Sequence, residues 1–105
     1  QAKLDLEKLR NSKLQAEQGL ELEVSQARVT LISSFENYRS AIDNVTLSKK
    51  IYDKTIIKYN EGVATSTELT QERNQYLNNE SIYIITLSVL LNSKNKLDKV
   101  LNNYN

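Results

Sequence analysis

Tyr59-Asn60-Glu61-Gly62-Val63-Ala64-Thr65-Ser66-Thr67-Glu68-Leu69 decides the fold of this chain. The stretch couples a helix stop to a helix start within a few residues, and it reads as the tip of a helical hairpin. Gly62 follows a long run of helix formers. A glycine there suits the left-handed cap that ends a helix, because it has no Cβ to clash. Three residues on, Thr65 is placed to cap the free N–H groups of a second helix while Glu68 reaches back, the reciprocal arrangement of a capping box. Ala64 and Leu69 flank the cap as a weak apolar staple. Gly62 is one of two glycines and the chain has no proline, so few other positions offer a turn.

Working outward, residues 1–60 form one arm, 61–66 the tip and 67–105 the return arm. In the first arm Val24, Leu31, Tyr38, Val45, Tyr52 and Tyr59 repeat every seven residues. A companion column of Arg28, Phe35, Ile42, Lys49 and Ile56 completes the two-in-seven seam of a coiled coil, interrupted by charges. Gly19 is the one weak helix former on the way, at about 1 kcal/mol against alanine. In the return arm Leu69, Tyr76, Tyr83, Leu90, Leu97 and Tyr104 also repeat every seven. Setting Tyr59 opposite Leu69 generates the other layers: Tyr52 with Tyr76, Val45 with Tyr83, Tyr38 with Leu90, Leu31 with Leu97 and Val24 with Tyr104. The second column then pairs Ile56 with Glu72, Lys49 with Asn79, Ile42 with Thr86, Phe35 with Ser93 and Arg28 with Val100, and sets Glu80 near Lys49. A register shifted by about one helical turn is an open alternative.

The expected fold is therefore all-α, a long antiparallel α-helical hairpin (coiled coil). The return arm runs out opposite residue 23, so the first twenty or so residues overhang, and Leu4, Leu6, Leu9, Leu14, Leu20 and Leu22 scatter over several faces. Ile57, Ile82, Ile85, Leu87, Val89 and Leu101 lie off the principal seam. Two helices cannot bury all of these, which predicts one stave of a larger α-barrel or wall.

Composition narrows the function classes. Hydrophobic residues make up 39% of the 105, thin for a globular core and ordinary for helices that share narrow seams. Fourteen basic against thirteen acidic residues leave a net charge of +1 without a basic stripe, which argues against nucleic acid or anionic lipid as the main partner. The six tyrosines fall at heptad spacing, as packing residues do, rather than along a basic groove. Histidine and cysteine are both absent. That removes the commonest general base, a thiolate nucleophile and the usual zinc ligands, so the reading is not an enzyme, with no catalytic, metal or cofactor-binding residues. No apolar run approaches the ~18 residues of a membrane helix. The chain starts at Gln1 without a charged-then-apolar leader, as expected of either a processed or an excised piece.

Tyr59, Gly62, the hydroxyl residues Thr65 and Ser66, Glu68 and Leu69, then Gln75-Tyr76-Leu77 and the ending Leu97-Asp98-Lys99-Val100-Leu101, resemble the C-terminal repeat of TolC-like outer-membrane efflux proteins. The resemblance covers nearly the whole chain and is most specific at the tip. It implies a periplasmic tunnel hairpin of a trimeric outer-membrane channel of a Gram-negative bacterium, serving drug efflux or type I secretion. The implied partners are two further protomers, a periplasmic adaptor (membrane fusion) protein and, through it, an inner-membrane pump. By the same resemblance Gly62, Val63, Ala64, Thr65 and Ser66 form the adaptor-docking turn. Tyr59, Glu68, Gln71 and Glu72 are the tip or gate contacts. Ala64 stands where some members have an arginine latch, and Gln71 where some have a second acid. Any charge selection at the mouth would fall to Glu68 or Glu72. From a different class, a free-standing coiled-coil scaffold or the adaptor's own hairpin remains the alternative.

Overall fold

A computed structural model describes residues 2–104, the Tyr104 side chain excepted. The protein is all-α: helix α1 spans Ala2–Asn60, helix α2 spans Ser66–Tyr104, and the two pack antiparallel as a hairpin. At ~1.5 Å per residue, the 59 residues of α1 account for the longest dimension of the 90 × 19 × 13 Å rod. The helix runs unbroken through Gly19, where nothing lies within 4 Å of an added Cβ.

The heptad column Val24, Leu31, Tyr38, Val45 and Tyr52 lies half-buried against Leu69, Tyr76, Tyr83, Leu90 and Leu97. Tyr52 and Tyr76 stack with ring centroids 5.9 Å apart and planes 24° apart, the pairing that the tip position generates. The other layers are staggered rather than one-to-one. Tyr38, set opposite Leu90 by the sequence register, stacks on Tyr83 at 5.5 Å and 28°. Val45 shares a hollow with both Tyr76 and Tyr83. Val45 thus sits between two residues of the facing helix, as a knob enters a hole, and the long tyrosine rings reach either neighbour. The Val24–Tyr104 layer lies outside the described residues.

The second column of α1 differs from the sequence expectation by one residue. The buried positions are Ala27, Ser34, Ala41 and Ser48, with Thr55 half-buried. Phe35 is 52% exposed, Arg28 and Lys49 are exposed, and Ile42 and Ile56 sit half-buried at the edge. Interaxial distance is set by the side chains at the contact, so a small residue at every seventh position lets α2 approach closely. A phenylalanine or lysine in that line would hold the helices apart. The return column Glu72, Asn79, Thr86, Ser93 and Val100 is half-buried or buried, as its spacing predicts.

Two polar pairs in this narrow line meet across the seam, while Thr55 and Thr86 donate to the Ile51 and Tyr83 carbonyls of their own helices. Ser34 Oγ lies 3.0 Å from Ser93 Oγ, 2.8 Å from the Thr30 carbonyl and, on the far side, Ser93 Oγ lies 2.9 Å from the Val89 carbonyl. Each hydroxyl carries one hydrogen, so one serine donates across while the other donates to its own helix. Asn79 Nδ2 donates to Ser48 Oγ. The apolar core is correspondingly slight: among the described residues the buried apolar side chains are Ala27 and Ala41 alone. Residues 2–19 are exposed throughout, and partial burial begins at Leu20 and Val24.

Candidate docking tip and open faces

Two local motifs build the tip. Gly62 adopts φ 77°, the left-handed conformation that favours glycine. Its N–H donates to the Tyr59 carbonyl at 3.0 Å, and the Val63 N–H donates to the Lys58 carbonyl at 2.8 Å. That crossed pair is a Schellman motif, and it satisfies carbonyls that the end of α1 would leave free. On the other side Thr65 Oγ1 accepts the Glu68 N–H at 3.1 Å, while the Thr65 carbonyl accepts the Leu69 N–H at 3.1 Å. Of the reciprocal capping box the structure forms the Thr65 half. Thr70 Oγ1 donates to the Ser66 carbonyl at 2.9 Å, bracing the first turn of α2.

This geometry presents a small blunt end. Val63, at 72% exposed, is the most prominent large apolar side chain there, with Thr65 and Ser66 exposed beside it and Ala64 half-buried beneath. Gly62 through Ser66 are thus one contiguous surface. The gate candidates are not gathered in the same way. Tyr59, 43% exposed, continues the column of rings on α1. Glu68 and Gln71 point outward on α2, and Glu72 is half-buried in the narrow line of the seam.

The sides of the rod carry a surface that the sequence did not single out. Leu77, Ile84 and Leu91 repeat every seven residues along α2, exposed by about half. Across from Leu91 on α1 lie Ile32 and Phe35, at 59% and 52% exposed. Leu31, Phe35, Leu90 and Leu91 line one open hollow between the helices. Nearer the tip a second hollow is walled by Val45, Tyr76, Tyr83 and Ile84, with Lys49, Lys50, Asp53 and Glu80 on its rim. Both flank the ring column, so we call this the ring side. The b-type heptad of Leu77, Ile84 and Leu91 is the signal that marks it, offset by one residue from the seam column. Within the seam, the Tyr38 and Tyr83 hydroxyls stand 3.4 Å apart, and this hydrogen bond, with lesser help from partial burial, holds the Tyr38 phenol above its ordinary pKa.

Among the described residues no cluster of three or more acidic, histidine or cysteine side chains could hold a metal ion. No described helix is long and apolar enough to cross a membrane. Comparison with protein-family models, curated proteins and solved structures finds no match to this chain.

Proposed function

We propose that this hairpin is the periplasmic tunnel segment of a TolC-like outer-membrane channel, trimeric in the full-length protein, that serves drug efflux or type I secretion. The tip docks a periplasmic adaptor, and the adaptor links the duct to an inner-membrane pump. The observation that carries this reading is the tip itself: a glycine-reversed, threonine-capped turn that exposes Val63 at the end of a 90 Å rod. Such a rod reaches across a wide gap, and its sides carry apolar columns fit to meet neighbouring staves. The role is passive. Neighbouring tips hold one another through Tyr59, Glu68 and Glu72, and an adaptor hairpin at Gly62–Ser66 shifts the coiled coils apart.

The test places a photo-reactive side chain at Val63 in the full-length protein in its own cells. The expected product joins it to a protein whose helical hairpin is flanked by lipoyl-like β sequence. Gly62→Val forces a β-branched residue into the left-handed region, at about 1–2 kcal/mol, and is expected to abolish both cross-link and export. Normal export with an unchanged cross-link would remove the tip from the mechanism.

One observation favours a second reading, a free-standing coiled-coil scaffold or an adaptor hairpin: the tip has Ala64 and Gln71 where a latch arginine and a gate acid would stand. Sequence adjoining the hairpin separates the two. Alternating outer-membrane strands accompany the channel, and lipoyl-like strands or a polar linker accompany the alternative.

A further inference from the structure

Tyrosine is the side chain of this protein that gives up an electron most readily. Cysteine and methionine, the usual first targets of oxidants, are absent, as are tryptophan and histidine, while six tyrosines are present. Four of the tyrosines stack in pairs across the seam, and the pairs differ. Tyr52 and Tyr76 stand 5.9 Å apart between ring centroids. Tyr38 and Tyr83 stand at 5.5 Å, and their hydroxyls lie only 3.4 Å apart. Hydroxyls closer than centroids mean that these rings converge toward their phenolic ends, beside the ortho carbons where phenoxyl radicals couple. The planes are 28° apart and the outer torsion of a tyrosine is broad, so a turn of either ring brings two ortho carbons edge to edge. Both residues are half-buried and Tyr83 walls the open hollow nearer the tip, which leaves the pair room to turn and a path to solvent.

We propose that Tyr38 and Tyr83 form an oxidative cross-linking site, at which a haem-peroxidase oxidant consuming hydrogen peroxide joins the two helices by a carbon–carbon bond. Each phenol gives one electron and one proton to the oxidant, and the pair together reduces one peroxide to two waters. The two phenoxyl radicals then couple between ring carbons ortho to their oxygens. Each of those carbons passes its hydrogen, as a proton, to the ring oxygen, which restores both phenols. The product is a dityrosine, two hydrogens lighter than the starting chain. Coupling requires two radicals to meet, and the seam already holds these rings together, the advantage of an intramolecular reaction over one between separate chains. The bond joins residues 45 apart in sequence, so the arms cannot part between Tyr38 and the tip. This site rests on the fold of a single hairpin and holds whether or not the tip docks an adaptor.

The test treats the folded full-length protein with a haem peroxidase and hydrogen peroxide, and maps its digest by tandem mass spectrometry. The expected product links the peptides of Tyr38 and Tyr83, shows dityrosine fluorescence, and comes from chains that still migrate as monomers on a denaturing gel. Tyr38→Phe and Tyr83→Phe keep a ring at each position and are expected to abolish the link without changing helix content. Tyr52→Phe is expected to leave its yield unchanged. Absence of the link in unsubstituted protein, under conditions that couple free tyrosine in the same solution, overturns the proposal. So does a Tyr52–Tyr76 link of equal or greater yield, or a Tyr38–Tyr83 link found only between chains. None of these outcomes bears on the Val63 cross-link, so this site and the docking reading fail separately.

Discussion

The two edges of the interhelical seam are built on opposite plans. One edge is a ladder of rings and branched aliphatics, Leu31, Tyr38, Val45 and Tyr52 against Tyr76, Tyr83 and Leu90, half-buried and open to a groove. The other is a line of alanines and hydroxyl or amide residues, Ala27, Ser34, Ala41 and Ser48 against Asn79 and Ser93, nearly closed. Bulk keeps one edge apart and smallness draws the other together. A coiled coil read only for its apolar residues would miss the half of the interface that sets how closely the helices approach.

Substitutions that enlarge or trim the two edges break this contrast most directly, read as melting by circular dichroism. Ala41→Phe places a ring where 3% of the residue is exposed, and should destabilise the hairpin by about 1–3 kcal/mol through overpacking. Val45→Phe, facing the open hollow, should change little; equal losses at the two positions would show that the edges do not differ. Tyr52→Ala should cost about 1.5 kcal/mol by removing a half-buried ring from its stack. In a double-mutant cycle with Tyr76→Ala, a coupling of about 0.5–1.5 kcal/mol is expected, and additivity would mean the stack contributes nothing. Thr65→Ala should cost about 1 kcal/mol by freeing the Glu68 N–H, wherever the tip is docked. Ser34→Ala is the smallest, within about 0.5 kcal/mol, because Ser93 keeps the Val89 carbonyl as its acceptor. A loss much above that would mean the cross-seam bond matters more than the closeness of packing.

The ring ladder was legible because tyrosine, leucine and valine announce themselves at heptad spacing, and Gly62 with Thr65 located the reversal that brings Tyr52 to Tyr76. The narrow line was misread by one residue, since Phe35, Ile42 and Ile56 carry a stronger apolar signal than Ala27, Ser34 and Ala41. Steric need at a close helix contact overrode hydrophobicity there, and an unbroken heptad of small residues was the available cue. The tip's geometry was readable in the same way from glycine and threonine chemistry. Its partner was not, because a docking surface of Val63, Thr65 and Ser66 has no charge or metal chemistry to name what it meets.

That a single short turn joins the two helices also dictates the order in which they come together. Ser48 and Asn79 are 31 residues apart in sequence, Tyr38 and Tyr83 are 45 apart, and Ser34 and Ser93 are 59 apart. Closing the last of these from an open chain forfeits the entropy of a long loop, but once its inner neighbour has formed only one further heptad must be fixed. Assembly should therefore run like a zipper from Gly62 toward Ala27, with lesions beside the turn slowing folding and lesions far from it hastening unfolding.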